Sequence, residues 1–409
     1  MTYRIRNKWI VVFGALSVQL AIGALYAWSL FNKPISLAWG LIASTTEDAA
    51  PEIVTTYAIS LVSFALSTII SGRLQIKKGP RITALIGGIL YSSGIILSSF
   101  VRTPELLYLT YGVLSGAGVA FIYVCPLSTL VKWFPNNKGL VTGIATAGFA
   151  VGAIIFKQII TNLLNISDTS VYTSTIVSNT FLTLGIVYAI MTIGGALLID
   201  VPDTIQSSSK TKVSEGKDYE TKELFRTPNF YKLLLSDLLA LMPGLLIIGL
   251  AKDIGSDYIG LTDANWITAA ALVGYLAMFN AGGRLASGFL ADKLGPLNVY
   301  RFMYFITILA LAVLSFVQVL PLAIIALLII GVSYGSFLSL VPTITGKLFG
   351  HKNFSSNYSL IFQAYGVAAL LGIYIKKQVN FEQAFMIAMI TAIVGLSVAM
   401  TIKENTTTE

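Results

Sequence analysis

An arginine inside an apolar stretch is the first residue with chemistry to offer. Arg284 lies within the run 264–287. An arginine in a membrane span costs about 2.5–3.5 kcal/mol on insertion scales, so it normally faces protein or water and marks a pathway. Its planar fork suits two-point binding of a carboxylate. The alternative is a snorkelling side chain near the end of its run, or a loop partner of Asp292. Lys157, in the run 139–160, stands near the run's other end and reads as a snorkelling cation or a supplementary anion attractor. None of the 19 acidic residues is expected at mid-depth of a run. Asp237, the nearest, reads as a helix-pairing group. Cation exporters and carboxylate-driven proton symporters usually need a buried acid, so both are disfavoured. The chain has one cysteine, Cys125, and one histidine, His351, the latter expected to be solvated in a loop. They supply no disulfide, no zinc site and no nucleophile–base pair, so no metal, no cofactor and no enzyme is expected.

The elements that position these residues follow from composition. Of 409 residues, 55% are hydrophobic and 11% charged, against about 25% charged in soluble domains. So few charges cannot cover a soluble surface of this size. Twelve apolar runs are legible: 9–30, 53–72, 82–101, 105–131, 139–160, 176–199, 229–251, 264–287, 298–319, 321–346, 355–375 and 382–402. Runs of about 20 residues match the bilayer core, and backbone groups in lipid must be bonded within their own segment, so these are transmembrane helices. The first run is too long for a signal-peptide core and is kept as a span.

Basic residues set the orientation. Arg4, Arg6, Lys8, Arg73, Lys77, Lys78, Arg81, Lys132, Lys138, Lys210, Lys212, Lys217, Lys222, Arg226, Lys232, Lys293, Arg301, Lys347, Lys352 and Lys403 fall on one side. Lys33, Arg102, Lys252, Lys376 and Lys377 fall on the other. The richer side is cytoplasmic, and it holds both termini. The net charge of +8 thereby finds its use in membrane orientation, and no nucleic-acid partner is expected. The polar stretch 200–228 reads as a cytoplasmic linker between a first bundle, 1–199, and a second, 229–409.

The two halves repeat. Gly72-Arg73-Leu74-Gln75-Ile76-Lys77-Lys78-Gly79-Pro80 follows the second run, and Gly288-Phe289-Leu290-Ala291-Asp292-Lys293-Leu294-Gly295-Pro296 follows the eighth. The same sequence spacing relates Pro126 to Pro342 and Thr129 to Thr345. Two six-helix units built on one plan are the simplest source of such a pattern.

The second copy resembles the loop signature of the major facilitator superfamily; the first keeps Gly72, Leu74, Lys77 and Gly79 but has Ile76 where the family usually has Asp. A narrower resemblance, to the oxalate/formate antiporter family, which is similar in layout to the monocarboxylate transporters, rests on three motifs. They are Gly23-Ala24-Leu25-Tyr26-Ala27-Trp28-Ser29, Lys132-Trp133-Phe134-Pro135 with Lys138-Gly139, and Asn280-Ala281-Gly282-Gly283-Arg284. The resemblance implies an all-α membrane protein, twelve transmembrane helices in two pseudo-symmetric six-helix bundles around a central cavity. It also implies gating or structural roles for Gly72, Gly79, Gly288, Asp292, Lys293 and Gly295, and a substrate-binding role for Arg284. Tyr26, Trp28, Tyr123, Tyr334, Phe337 and Tyr365 are the candidates for an aromatic-lined chamber; lipid-facing placement is their alternative.

Oxalate exchangers of that family carry a second cation just before a glycine in span 11, where this chain has Tyr365 before Gly366. A dianion held by one arginine keeps an unpaired charge, and one contact at about 4 Å is worth about 4 kcal/mol at an effective dielectric near 20. The expectation is therefore alternating-access transport of a small monocarboxylate of the formate, lactate or pyruvate class across the plasma membrane, by a monomer. An oxalate/formate-type dicarboxylate antiporter is the alternative, and a drug or cation exporter of the same fold a further one. With Arg284 the sole charge at depth, an empty carrier would hold an uncompensated cation, which favours anion exchange; proton-coupled transport stays open.

Overall fold

The computed structural model describes residues 7–44, 49–165, 172–202, 218–249, 254–261, 268–317 and 319–403. Of the residues used for orientation, Arg4, Arg6, Lys210, Lys212, Lys217 and Lys252 lie outside the described residues, as do the side chains of Lys376 and Lys377. So does most of the expected linker, 203–217. The chain forms two compact units. One comprises Met1–Trp133 and Gly148–Ser209, the other Phe134–Ala147 and Lys210–Glu409.

The first unit opens with α1 (Lys8–Gly23), capped by the Asn7 side chain, which accepts from the Trp9 N–H. A single 3-10 turn, Ala24–Ala27, separates it from α2 (Ser29–Ala38). Then come α3 (Pro51–Lys78), α4 (Pro80–Ser98), α5 (Pro104–Leu107), a π-helical turn at Tyr108–Ser115 and α6 (Gly116–Trp133). Proline at the first helical position starts α3, α4 and α5, where its missing N–H costs nothing. The C-terminal part of α7 (Lys138–Leu163) and α8 (Ser174–Leu197) complete the unit. Here α4 packs on α6 and α8, and α3 on α6.

The second unit takes the N-terminal part of α7, so this one helix serves both units. It continues with α9 (Thr221–Leu224), α10 (Pro228–Gly249), a π-helical turn at Ile254–Tyr258, and α11 (Ala269–Leu294). The chain then runs through α12 (Pro296–Phe316), α13 (Leu320–Phe349), α14 (Phe354–Ile361), α15 (Gln363–Gln378) and α16 (Phe381–Met400). The end of the polar stretch is folded: the Tyr219 N–H donates to the Phe349 carbonyl at 3.0 Å, and Glu220 and Glu223 form a capping box on α9.

Among the described residues, ten helices are long and apolar enough to cross a membrane. The remaining two of the twelve apolar runs are present in other form. One is α11, whose apolarity is diluted by Asn280 and Arg284. The other is divided at Phe362 into α14 and α15, neither of which reaches spanning length. Outward-facing Phe13, Phe100, Ile190, Phe302 and Phe316 are each more than half exposed, which suits hydrocarbon and not water.

Candidate functional site

The repeated motifs lie at helix ends more than in loops. Gly72 is buried inside α3, and the helix runs on to Lys78. Gly288, Asp292 and Lys293 are likewise within α11, which runs to Leu294. The expected placement of Arg284 close to the end of its span therefore needs correction: the helix continues well past it. Gly79 and Gly295 end the two helices with the same φ of 84°, a left-handed value that strains any side chain. A proline follows each and begins the next helix. Asp292 accepts from the backbone N–H of Gly139 at 2.7 Å and of Leu140 at 2.8 Å. It thus caps the start of α7, where exposed N–H groups and the helix dipole both favour an anion. Lys293 lies over the Phe289 ring at 4.3 Å. In the first unit Arg81 performs a comparable tie, pairing with Asp200 at 2.9 Å and donating to the Ile199 carbonyl.

Arg284 is 1% exposed. Its Nε donates to Asn280 Oδ1 at 2.9 Å and its Nη1 to the Thr146 carbonyl at 2.7 Å. Asn280 stands one turn before Arg284 on α11, where i and i+4 side chains meet; Thr146 belongs to the part of α7 in the same unit. A buried guanidinium held this way does not snorkel, and both of these acceptors are neutral. Close backbone approach makes the geometry possible. A Cβ on Gly143 would stand 2.5 Å from the Arg284 carbonyl oxygen, and one on Gly288 2.4 Å from that of Gly139. Ser339 fixes the α11 backbone from α13, donating to the Arg284 carbonyl at 3.1 Å.

The candidate aromatics fall into separate groups. In the first unit Tyr26 and Tyr123 both pack edge-on against Phe149, with ring centroids 5.0 and 5.9 Å away. Trp28 is buried, 4.1 Å from the Tyr111 ring and stacked on Phe31. In the second unit Tyr334 and Tyr365 are buried, with Tyr365 stacked on Phe362 at 5.1 Å. Phe337 packs against Tyr300 and Tyr304 of α12 at 5.3 and 4.9 Å, so it fills the joint between α12 and α13. Tyr26 and Trp28 sit at the 3-10 interruption between α1 and α2, and Tyr365 just after the break at Phe362. Lys157 is exposed.

Sequence reasoning missed three things here. Asn280 was visible as a polar residue one turn from Arg284. Asp237 was expected away from mid-depth, yet it lies near the middle of the 22-residue α10 and is 4% exposed. The run 229–251 and the helix Pro228–Gly249 start within one residue of each other, so the depth of Asp237 was already legible in the sequence. His351 was expected to be solvated; it is half-buried, with its Nε2 3.1 Å from Lys138 Nζ.

The chain belongs to the Major Facilitator Superfamily, whose family model matches residues 9–373. Proteins of that family are transporters, and this chain is a multi-pass membrane transporter, not an enzyme. It is 28% identical over 400 residues to the oxalate:formate antiporter of Oxalobacter formigenes, covering 96% of this chain and 91% of that protein. It is 25% identical over 407 residues to monocarboxylate transporter 13 of Bos taurus, covering 96% and 89%. A solved structure of the proton:xylose symporter XylE matches 97% of this chain and 96% of its own with a TM-score of 0.76. At 12% identity that likeness shows the shared fold alone.

Proposed function

We propose that the protein carries small monocarboxylates of the formate, lactate or pyruvate class across the plasma membrane by alternating access. Arg284 binds the carboxylate. The observation that carries this reading is a guanidinium buried in a span and aimed by Asn280 and the Thr146 carbonyl. A fixed fork of donors loses little freedom when it grips a planar carboxylate. The names of the two curated relatives, one an oxalate:formate antiporter and one a monocarboxylate transporter, support an organic anion as cargo. Tyr365, where oxalate exchangers place a second cation, favours a single negative charge, because the second carboxylate of a dianion forgoes about 4 kcal/mol of charge pairing. Tyr26, Trp28, Tyr123, Tyr334 and Tyr365 narrow the path for small solutes, with tyrosine hydroxyls as added donors. The packing of Phe337 on Tyr300 and Tyr304 makes it a supporting residue.

In the same reading 1–199 and 229–409 are the two six-helix halves, joined by 200–228, and both termini are cytoplasmic. The carrier works as a monomer. The test is uptake of labelled formate, lactate, pyruvate and oxalate into proteoliposomes holding the purified chain. Saturable uptake of one of the first three, with oxalate much weaker, is the expected result. Oxalate uptake equal to theirs overturns the monocarboxylate assignment.

A further inference from the structure

Among the described residues, Asp237 and Arg284 are the two buried side chains of the acid and base types, and they carry opposite signs. Both belong to spans of the second unit. Asp237 is 4% exposed near the middle of α10, yet no described residue donates a hydrogen bond to its carboxyl or forms an ion pair with it. An ionisable residue inside a span marks an ion or proton path by default.

The surroundings are polar without being cationic. Next to Asp237, the Ser236 hydroxyl lies 3.1 Å from the Tyr300 hydroxyl and 3.3 Å from that of Tyr304, and it donates to the Gly395 carbonyl at 3.2 Å. Tyr304 also donates to the Ser236 carbonyl. Tyr300 and Tyr304 are the titratable residues whose hydroxyls reach Ser236, the residue before Asp237. The other helices packed on α10 bring Tyr334 and Lys347 (α13), Tyr358 (α14), Tyr365 (α15) and Glu382 (α16), with Lys347 and Glu382 in the end turns of their helices. A cluster of hydroxyls is thus gathered at Ser236, the neighbour of Asp237, and among the described residues no lysine or arginine pairs with its carboxyl.

We propose that Asp237 is the proton-binding site of the carrier, so that proton and carboxylate cross together. The inference rests on the monocarboxylate reading and narrows its coupling to proton symport. The balance of buried charge supports it. In the empty carrier the Arg284 cation and the Asp237 carboxylate sum to zero. A bound carboxylate anion adds one negative charge. One proton taken from water onto a carboxylate oxygen of Asp237 restores the balance, and release of that proton with the cargo resets it. No oxidant or other reactant is needed. The uncompensated empty state that pointed to exchange is removed by this carboxyl.

Two measurements on the full chain decide the matter. The first needs no cargo: infrared difference spectra between acidic and alkaline buffers, for wild type and Asp237→Asn. A carboxylic-acid carbonyl band that titrates in wild type and is missing in the variant is the expected result. Identical difference spectra overturn the proposal. The second uses labelled lactate and proteoliposomes with an acid-outside gradient. Wild type should accumulate lactate several-fold above its level without a gradient. Asp237→Asn should keep lactate–lactate exchange and lose the accumulation. Tyr304→Phe, which leaves the carboxyl in place, should keep accumulation but shift its pH midpoint. Gradient-driven accumulation by Asp237→Asn at the wild-type level, or exchange in wild type with no response to the gradient, overturns proton coupling. If wild type moves no monocarboxylate at all, the cargo assignment fails, and the infrared comparison still decides whether Asp237 binds a proton.

Discussion

Replacing Asn280 with alanine removes the acceptor that aims Arg284. Both residues are buried, and the Nε to Oδ1 distance is 2.9 Å. A hydrogen bond to a charged group contributes about 1.5–3 kcal/mol, and its loss leaves a buried charged donor without this acceptor. At about 1.4 kcal/mol per factor of ten, anion affinity should fall roughly tenfold to a hundredfold. The guanidinium itself remains, so the loss should appear chiefly in KM for lactate uptake, with Vmax less affected. The Thr146 bond supplies an internal control. Its acceptor is a backbone carbonyl, so Thr146→Ala keeps that acceptor and should transport nearly as wild type does. Kinetics of lactate uptake in proteoliposomes, with thermal unfolding in detergent as a folding check, measure both variants. A folded Asn280→Ala protein with wild-type KM would refute the positioning of Arg284 by this bond.

Three further outcomes follow from the packing. Gly288→Ala places a methyl group 2.4 Å from the Gly139 carbonyl oxygen; overpacking of this kind costs about 1–3 kcal/mol and should lower the thermal midpoint of the purified protein. Asp292→Asn takes the charge from the group capping α7 at 2.7 and 2.8 Å, and a loss within about 0.5–2 kcal/mol should appear in the same melt. Arg81→Gln breaks a partly exposed ion pair with Asp200; because such pairs contribute about 0–1 kcal/mol, its melting curve should stay close to that of wild type, and a large drop would contradict the weight given to it here.

The sequence carried the architecture well because the bilayer reads hydropathy directly. Runs of sufficient length had to be helices, and the recurrence of Gly72 and Gly79 at Gly288 and Gly295 exposed the repeat. The matching φ at Gly79 and Gly295 shows why those glycines recur. Arg284 stood out because a cation in an apolar run is expensive. Rotational placement was harder to read. A span that is apolar on every face has no polar side to fix its phase, so nothing told Phe337, packed on Tyr300 and Tyr304, from a pathway-facing aromatic. The depth of Asp237 could have been read correctly, since the run 229–251 starts within one residue of the helix Pro228–Gly249. The breaks at Ala24–Ala27 and at Phe362 left no proline or charge in the sequence to announce them.

Carboxylate binding in this carrier rests on Arg284. Its most direct test is labelled lactate uptake by proteoliposomes carrying Arg284→Gln beside wild type, with matched amounts of folded protein. Uptake reduced to the level of empty liposomes is the predicted result. Saturable uptake by Arg284→Gln with a wild-type KM would contradict it.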